Sequence, residues 1–165
     1  MDKPQRAKAP FNSGGFVSAA LLAPSVAATI FILGAALTEF SIEPREIATL
    51  VGSVLFALLI VGIWGAVPSL VFGGLVLAVI QRMPWRKRPN AAVFVIGGVV
   101  AAGLYVLAGL GVAGPLPGAA MFFAPWAMRE MWGPTPTGED WWMVASLLLA
   151  GAVAGLIYSA LAKRG

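Results

Sequence analysis

Eight hydroxyl side chains, those of Ser25, Thr29, Ser53, Ser69, Tyr105, Ser146, Tyr158 and Ser159, fall within or beside the long apolar stretches of this sequence. A serine becomes a nucleophile only beside a base that takes its proton. No His occurs among the 165 residues, and no Lys lies inside an apolar stretch. The hydroxyls are therefore expected to bond a helix backbone or a neighbouring helix, at about 1 kcal/mol or less each. Cysteine is also absent, which removes disulfides, thiolate nucleophiles and iron–sulfur ligation. With His go the commonest metal ligand and the commonest general base. Met121, Met128, Met131 and Met143 could supply thioethers to Cu(I), but their irregular spacing and the lack of a supporting Cys or His point to packing. Proton relays and ion-coupled transporters keep an ionisable group at mid-membrane, and none of the apolar stretches holds one. Glu39 sits at the end of such a stretch, where water reaches it. Glu139 and Asp140 precede another, where two carboxylates suit the start of a helix. The expectation is a non-enzymatic protein without cofactor or metal.

The elements that carry these residues are membrane spans. Hydrophobic residues make up 59% of the chain and charged ones 11%, with a mean hydropathy of +0.88. A soluble domain needs roughly 25% charged residues to cover its surface, so hydrocarbon must solvate much of this one. Four uncharged stretches stand out, at 16–38, 47–80, 91–112 and 141–162. About 20 residues of helix cross a hydrocarbon core of roughly 30 Å. The fold class expected is an all-α integral membrane protein. It has an N-terminal tail over 1–15 and a single four-transmembrane-helix domain over 16–165.

Charge placement orients the spans. Lys3, Arg6 and Lys8, then Arg82, Arg86, Lys87 and Arg88, then Lys163 and Arg164 fall on one side, leaving Arg45 and Arg129 on the other. Nine against two is a decisive asymmetry under the positive-inside rule. Both termini are expected in the cytoplasm, and the richness in Ala, Gly and Pro suits a bacterial inner membrane. Topology accounts for the net charge of +4, so no nucleic-acid partner is expected. The first stretch follows a basic segment, yet its apolar region of some 20 residues exceeds the 7–15 of a signal peptide, so it is expected to be retained.

The second stretch is too long. Its 34 residues would rise about 51 Å as a straight helix, and the loop charges demand an odd number of crossings. One crossing with a bend or an extension into the interface meets both conditions, and Pro68 is the obvious place. Proline removes a backbone bond and its ring crowds the carbonyl four residues back, that of Trp64. Gly65 weakens the same turn, and Ser69 offers a hydroxyl to the loosened backbone. Freed carbonyls at such a break can line a polar path.

Two segment pairs suggest tandem helical hairpins. The residues 26–33 (VAATIFIL) resemble 100–107 (VAAGLYVL), and 65–72 (GAVPSLVF) resemble 151–158 (GAVAGLIY), at offsets of 74 and 86. Small residues are spaced for close packing: Gly151 and Gly155 form a GxxxG, and Gly65, Ser69 and Gly73 a parallel row. Such rows let helix backbones approach. The connection 113–140 carries Met121, Pro125, Met128 and Trp132 at helical spacing, as in an outer interfacial segment. Trp126, Trp132, Trp141 and Trp142 suit an aromatic belt or a surface for a partner, since Trp and Met are favoured interface residues. Arg82, Arg86, Lys87 and Arg88 surround Pro84 and Trp85, where anionic lipid heads are attracted. The sequence thus predicts a protein acting through contacts with the lipid bilayer, with other membrane proteins or with its own copies. A small subunit or assembly factor of a membrane complex fits that description. The alternative is a small passive transporter or channel with its path near Pro68.

Overall fold

A computed structural model describes residues 11–39, 44–56, 59, 62–83, 89–113 and 138–163. These form five helices: α1 over Ser13–Glu39, α2 over Pro44–Phe56, α3 over Gly62–Arg82, α4 over Ala91–Ala113 and α5 over Gly138–Ala162. In hydrocarbon each backbone polar group must find a partner within the segment, which a helix supplies. Four of the five, α1, α3, α4 and α5, are long and apolar enough to cross a membrane. Local signals set their ends. Asn12 caps α1, its Oδ1 accepting from the Gly15 amide at 2.9 Å. Asn90 caps α4 in the same way through the Val93 amide at 3.2 Å. Pro44 opens α2, at the helical position where a missing N–H costs least.

Each crossing helix packs against two others. α1 lies between α3 and α5, and α4 lies between the same pair, so the four close a ring in the order α1, α3, α4, α5. The contact of α4 with α5 is the most extensive. At one end of the ring, Ala19, Leu77, Ile80, Phe94, Tyr158 and Ala162 form a buried cluster, with Phe16 and Val76 packed against it. That cluster joins the start of α1, the end of α3, the start of α4 and the end of α5. The same end holds the first and last described helices side by side. Nine of the eleven basic residues adjoin it in sequence.

The long apolar run over 47–80 holds most of α2 and most of α3. α2 is described to Phe56 and α3 from Gly62. α3 rises about 31 Å over its 21 residues, enough to cross a core of roughly 30 Å by itself. Pro68 lies inside it, with helix on both sides. α2 packs against α1 and its 13 residues span only about 20 Å.

Candidate functional site

The most constrained part of the molecule is the seam between α4 and α5, where glycines bring two backbones together. A Cβ placed on Gly98 would fall on the Gly151 carbonyl and 3.2 Å from the Gly155 nitrogen. One on Gly151 would fall on the Gly98 carbonyl and 2.9 Å from the Ala102 Cβ. At Gly155 it would meet the Phe94 carbonyl and the Val95 Cα at 2.9 Å. The GxxxG of α5 is thus turned toward α4, and Gly98 is its partner. Spans have no hydrophobic drive to associate within lipid, so close backbone approach and dispersion hold such seams.

The seam between α1 and α3 follows the same logic with different residues. Gly65 lies against the Pro24 ring, which leaves no room for a side chain. Lower down, the Phe16 ring lies 3.3 Å from where a Gly73 Cβ would stand. Pro68 is buried and Ser69 half-buried. Gly97 of α4 faces α3, with the Ile80 Cδ1 2.8 Å from its Cβ position.

α1 and α5 are tied at both ends. At the basic end, the Asn12 Nδ2 donates to the Leu161 carbonyl at 3.1 Å and the Asn12 amide to the Tyr158 hydroxyl at 3.3 Å. At the opposite end, the Trp142 indole covers Gly34 and its Nε1 donates to the Phe31 carbonyl at 3.4 Å. Trp142 keeps 39% of its surface exposed, and Trp141 is exposed more fully.

Three hydroxyls turn back onto their own helices. Thr29 donates to the Ser25 carbonyl at 2.8 Å, Ser146 to the Trp142 carbonyl at 2.8 Å, and Ser159 to the Leu156 carbonyl at 3.0 Å. Ser146 and Ser159 are buried, so their bonds keep a polar group from meeting hydrocarbon unpaired. The tyrosine rings pack edge to face: Tyr105 on Phe72 with centroids 6.0 Å apart, Tyr158 on Phe94 at 5.2 Å. Among the described residues no three His, Cys, Asp or Glu side chains gather as a metal site would require.

The residues singled out from the sequence are therefore distributed as follows. Gly151 and Gly155 meet in the α4–α5 seam, and Gly65 and Gly73 in the α1–α3 seam. Arg82 ends α3 and is exposed. Met121, Trp126, Met128 and Trp132, like Arg86, Lys87 and Arg88, lie outside the described residues. Three positions escaped the sequence reading: Gly98, Pro24 and Gly34. The pair Gly97-Gly98 at the centre of an apolar stretch was the available signal for the first. No protein-family model, curated protein or solved structure matches the chain.

Proposed function

We propose that this is a non-enzymatic multi-pass membrane protein that works by contact, as a small subunit or assembly factor of a larger membrane complex. One observation carries the reading. The four spans hold no Asp, Glu, Lys or Arg between their ends, while broad apolar faces stay exposed, among them Val67, Val71 and Leu75 on α3 and Ile96, Val100 and Leu107 on α4. Such a surface offers lipid and other spans something to pack against and a substrate little to bind. Extraction in a mild detergent, with chemical crosslinking and mass spectrometry, tests it. A partner or a defined homo-oligomer recovered at fixed stoichiometry is expected; a monomer without crosslinks in several detergents overturns the proposal.

The orientation belongs to the same reading: both termini in the cytoplasm of a bacterial cell, the membrane being the inner one. Its support is the gathering of basic sequence at the end where Asn12 meets Leu161. Single cysteines introduced near each terminus should react with an impermeant maleimide only after the cells are opened. Tandem hairpins are supported by register. The offsets of 74 and 86 that align the sequences carry Pro24 onto Gly98 and Gly65 onto Gly151, the close approaches of the two seams. The same offset carries Trp142 to Phe56, which lies in α2, so the correspondence of α5 with α3 does not reach the start of α5.

The second reading, a passive transporter or channel, draws on Pro68. Its ring is buried in α3 and it leaves the Trp64 carbonyl without its helical donor, as a bend in the span would exploit. Flux into liposomes that is abolished in Pro68→Ala or Gly73→Leu favours the path; no flux at all, or flux unchanged in both variants, removes it.

A further inference from the structure

α2 has no place among the crossings, and its composition is unlike theirs. On a helical wheel Ile47, Leu50, Val51, Val54 and Leu55 fall on one face, while Arg45, Glu46, Thr49, Gly52 and Ser53 fall on the opposite one. A stripe at that spacing marks a helix with one apolar and one wet side. The crossing helices are apolar all round. α1 covers only part of the apolar face, for Val54 is half-buried whereas Val51 and Leu55 stay exposed at 53% and 55%.

We propose that α2 is an interfacial helix. It lies along the membrane surface at the end opposite the basic one and lays Val51 and Leu55 into the boundary between headgroups and acyl chains. The occupant of its apolar face is the lipid of that leaflet. Chain geometry carries the argument. α1 is followed by four residues before Pro44, and α3 is preceded by five after Phe56. Even fully extended, five residues reach only about 18 Å, so α2 stays beside the surface through which both spans emerge. α3 needs no extension to cross, and α2 is too short to cross alone. An amphipathic helix held at that height settles with its apolar side about 5–10 Å into the interface. Phe56 falls outside the apolar face, at the last described residue of α2.

The proposal rests on the membrane reading of the four spans, and the test separates the two. Because the chain has no native Cys, single cysteines at Thr49, Val51, Ser53 and Leu55 can carry a nitroxide without background. Val71→Cys and Leu75→Cys, on the exposed face of α3, serve as span controls. Each full-length variant is placed in lipid nanodiscs, and its relaxation is compared under oxygen, which concentrates in lipid, and under a water-soluble nickel chelate. Oxygen should dominate at 51 and 55 and nickel at 49 and 53, alternating around the helix. The interfacial helix is overturned if all four sites favour nickel, if all four favour oxygen at steadily increasing depth, or if 51 and 55 are shielded from both agents, as beneath a protein partner. Nickel access at the Val71 and Leu75 controls instead overturns the membrane reading itself.

Discussion

Alanine at two positions of α4, five residues apart, should have opposite effects. A Cβ at Gly98 meets the Gly151 carbonyl and the Gly155 nitrogen, whereas one at Gly103 meets nothing within 4 Å. A new carbon needs about 3.5 Å to its neighbours, and the atoms in its way at Gly98 are backbone, which cannot rotate aside. The helices must part by roughly 1 Å. A gap of that size forfeits about a quarter to a half of each dispersion contact along the seam. Overpacking of this kind costs about 1–3 kcal/mol. Against it stands the helix propensity gained by replacing glycine, about 1 kcal/mol at either site. Gly103→Ala should therefore be neutral or up to about 1 kcal/mol more stable than the parent. Gly98→Ala should fall about 1–3 kcal/mol below Gly103→Ala, roughly a five- to 140-fold difference in the unfolding constant. Reversible unfolding with SDS in mixed micelles, followed by far-UV circular dichroism, reads both variants on one scale. If Gly98→Ala unfolds at the same SDS fraction as Gly103→Ala, or later, backbone contact does not hold this seam.

Other substitutions probe the remaining ties. Asn12→Ala should lose about 1 kcal/mol as the cap of α1 disappears; Asn12→Asp keeps an oxygen for the Gly15 amide but has no donor for the Leu161 carbonyl, so thermal melting should place it between the two. Gly34→Val should drive the Trp142 indole off α1 and red-shift the fluorescence of a variant whose other tryptophans are Phe, while Trp142→Phe keeps the packing and changes the melting temperature little. Ser146→Ala should cost no more than about 1 kcal/mol, because its hydroxyl serves a carbonyl of its own helix; a loss of several kcal/mol in the same unfolding assay would show that Ser146 bonds across helices.

The crossings were legible because their signal is chemical and long. The stretches 16–38, 91–112 and 141–162 correspond to α1, α4 and α5 within a few residues at each end. Where the run over 47–80 changes character was harder to read, for a physical reason. The residues between α2 and α3 are Ala57, Leu58, Leu59, Ile60 and Val61, without the Gly or Pro that ordinarily punctuates a chain. Hydropathy does not change there. Periodicity does: the one-sided pattern ends near Leu55, and the following residues are apolar on every side. The GxxxG of α5 could be recognised as a packing motif from sequence, but its partner could not. Which face of which helix receives Gly151 depends on a meeting of helices that no local pattern encodes. The same holds for Pro24, which by itself reads as a helix defect and in the structure fills the space opposite Gly65.

The pairing of α1 with α5 also has a consequence in time. Asn12 and Leu161 are 149 residues apart, so α1 has to wait for one of the helices it packs against. At a synthesis rate of about 5–20 residues per second, that interval is roughly 7–30 s. Once α3 has been made α1 can have it alongside, but the surface destined for Trp142 and Leu161 faces lipid or whatever insertion machinery is present. The Asn12 amide group, the most polar part of that waiting surface, lies at its basic end rather than at mid-membrane. The delay therefore leaves residues such as Gly15, Ala19 and Gly34 against the acyl chains, a surface that lipid can solvate until the ring closes.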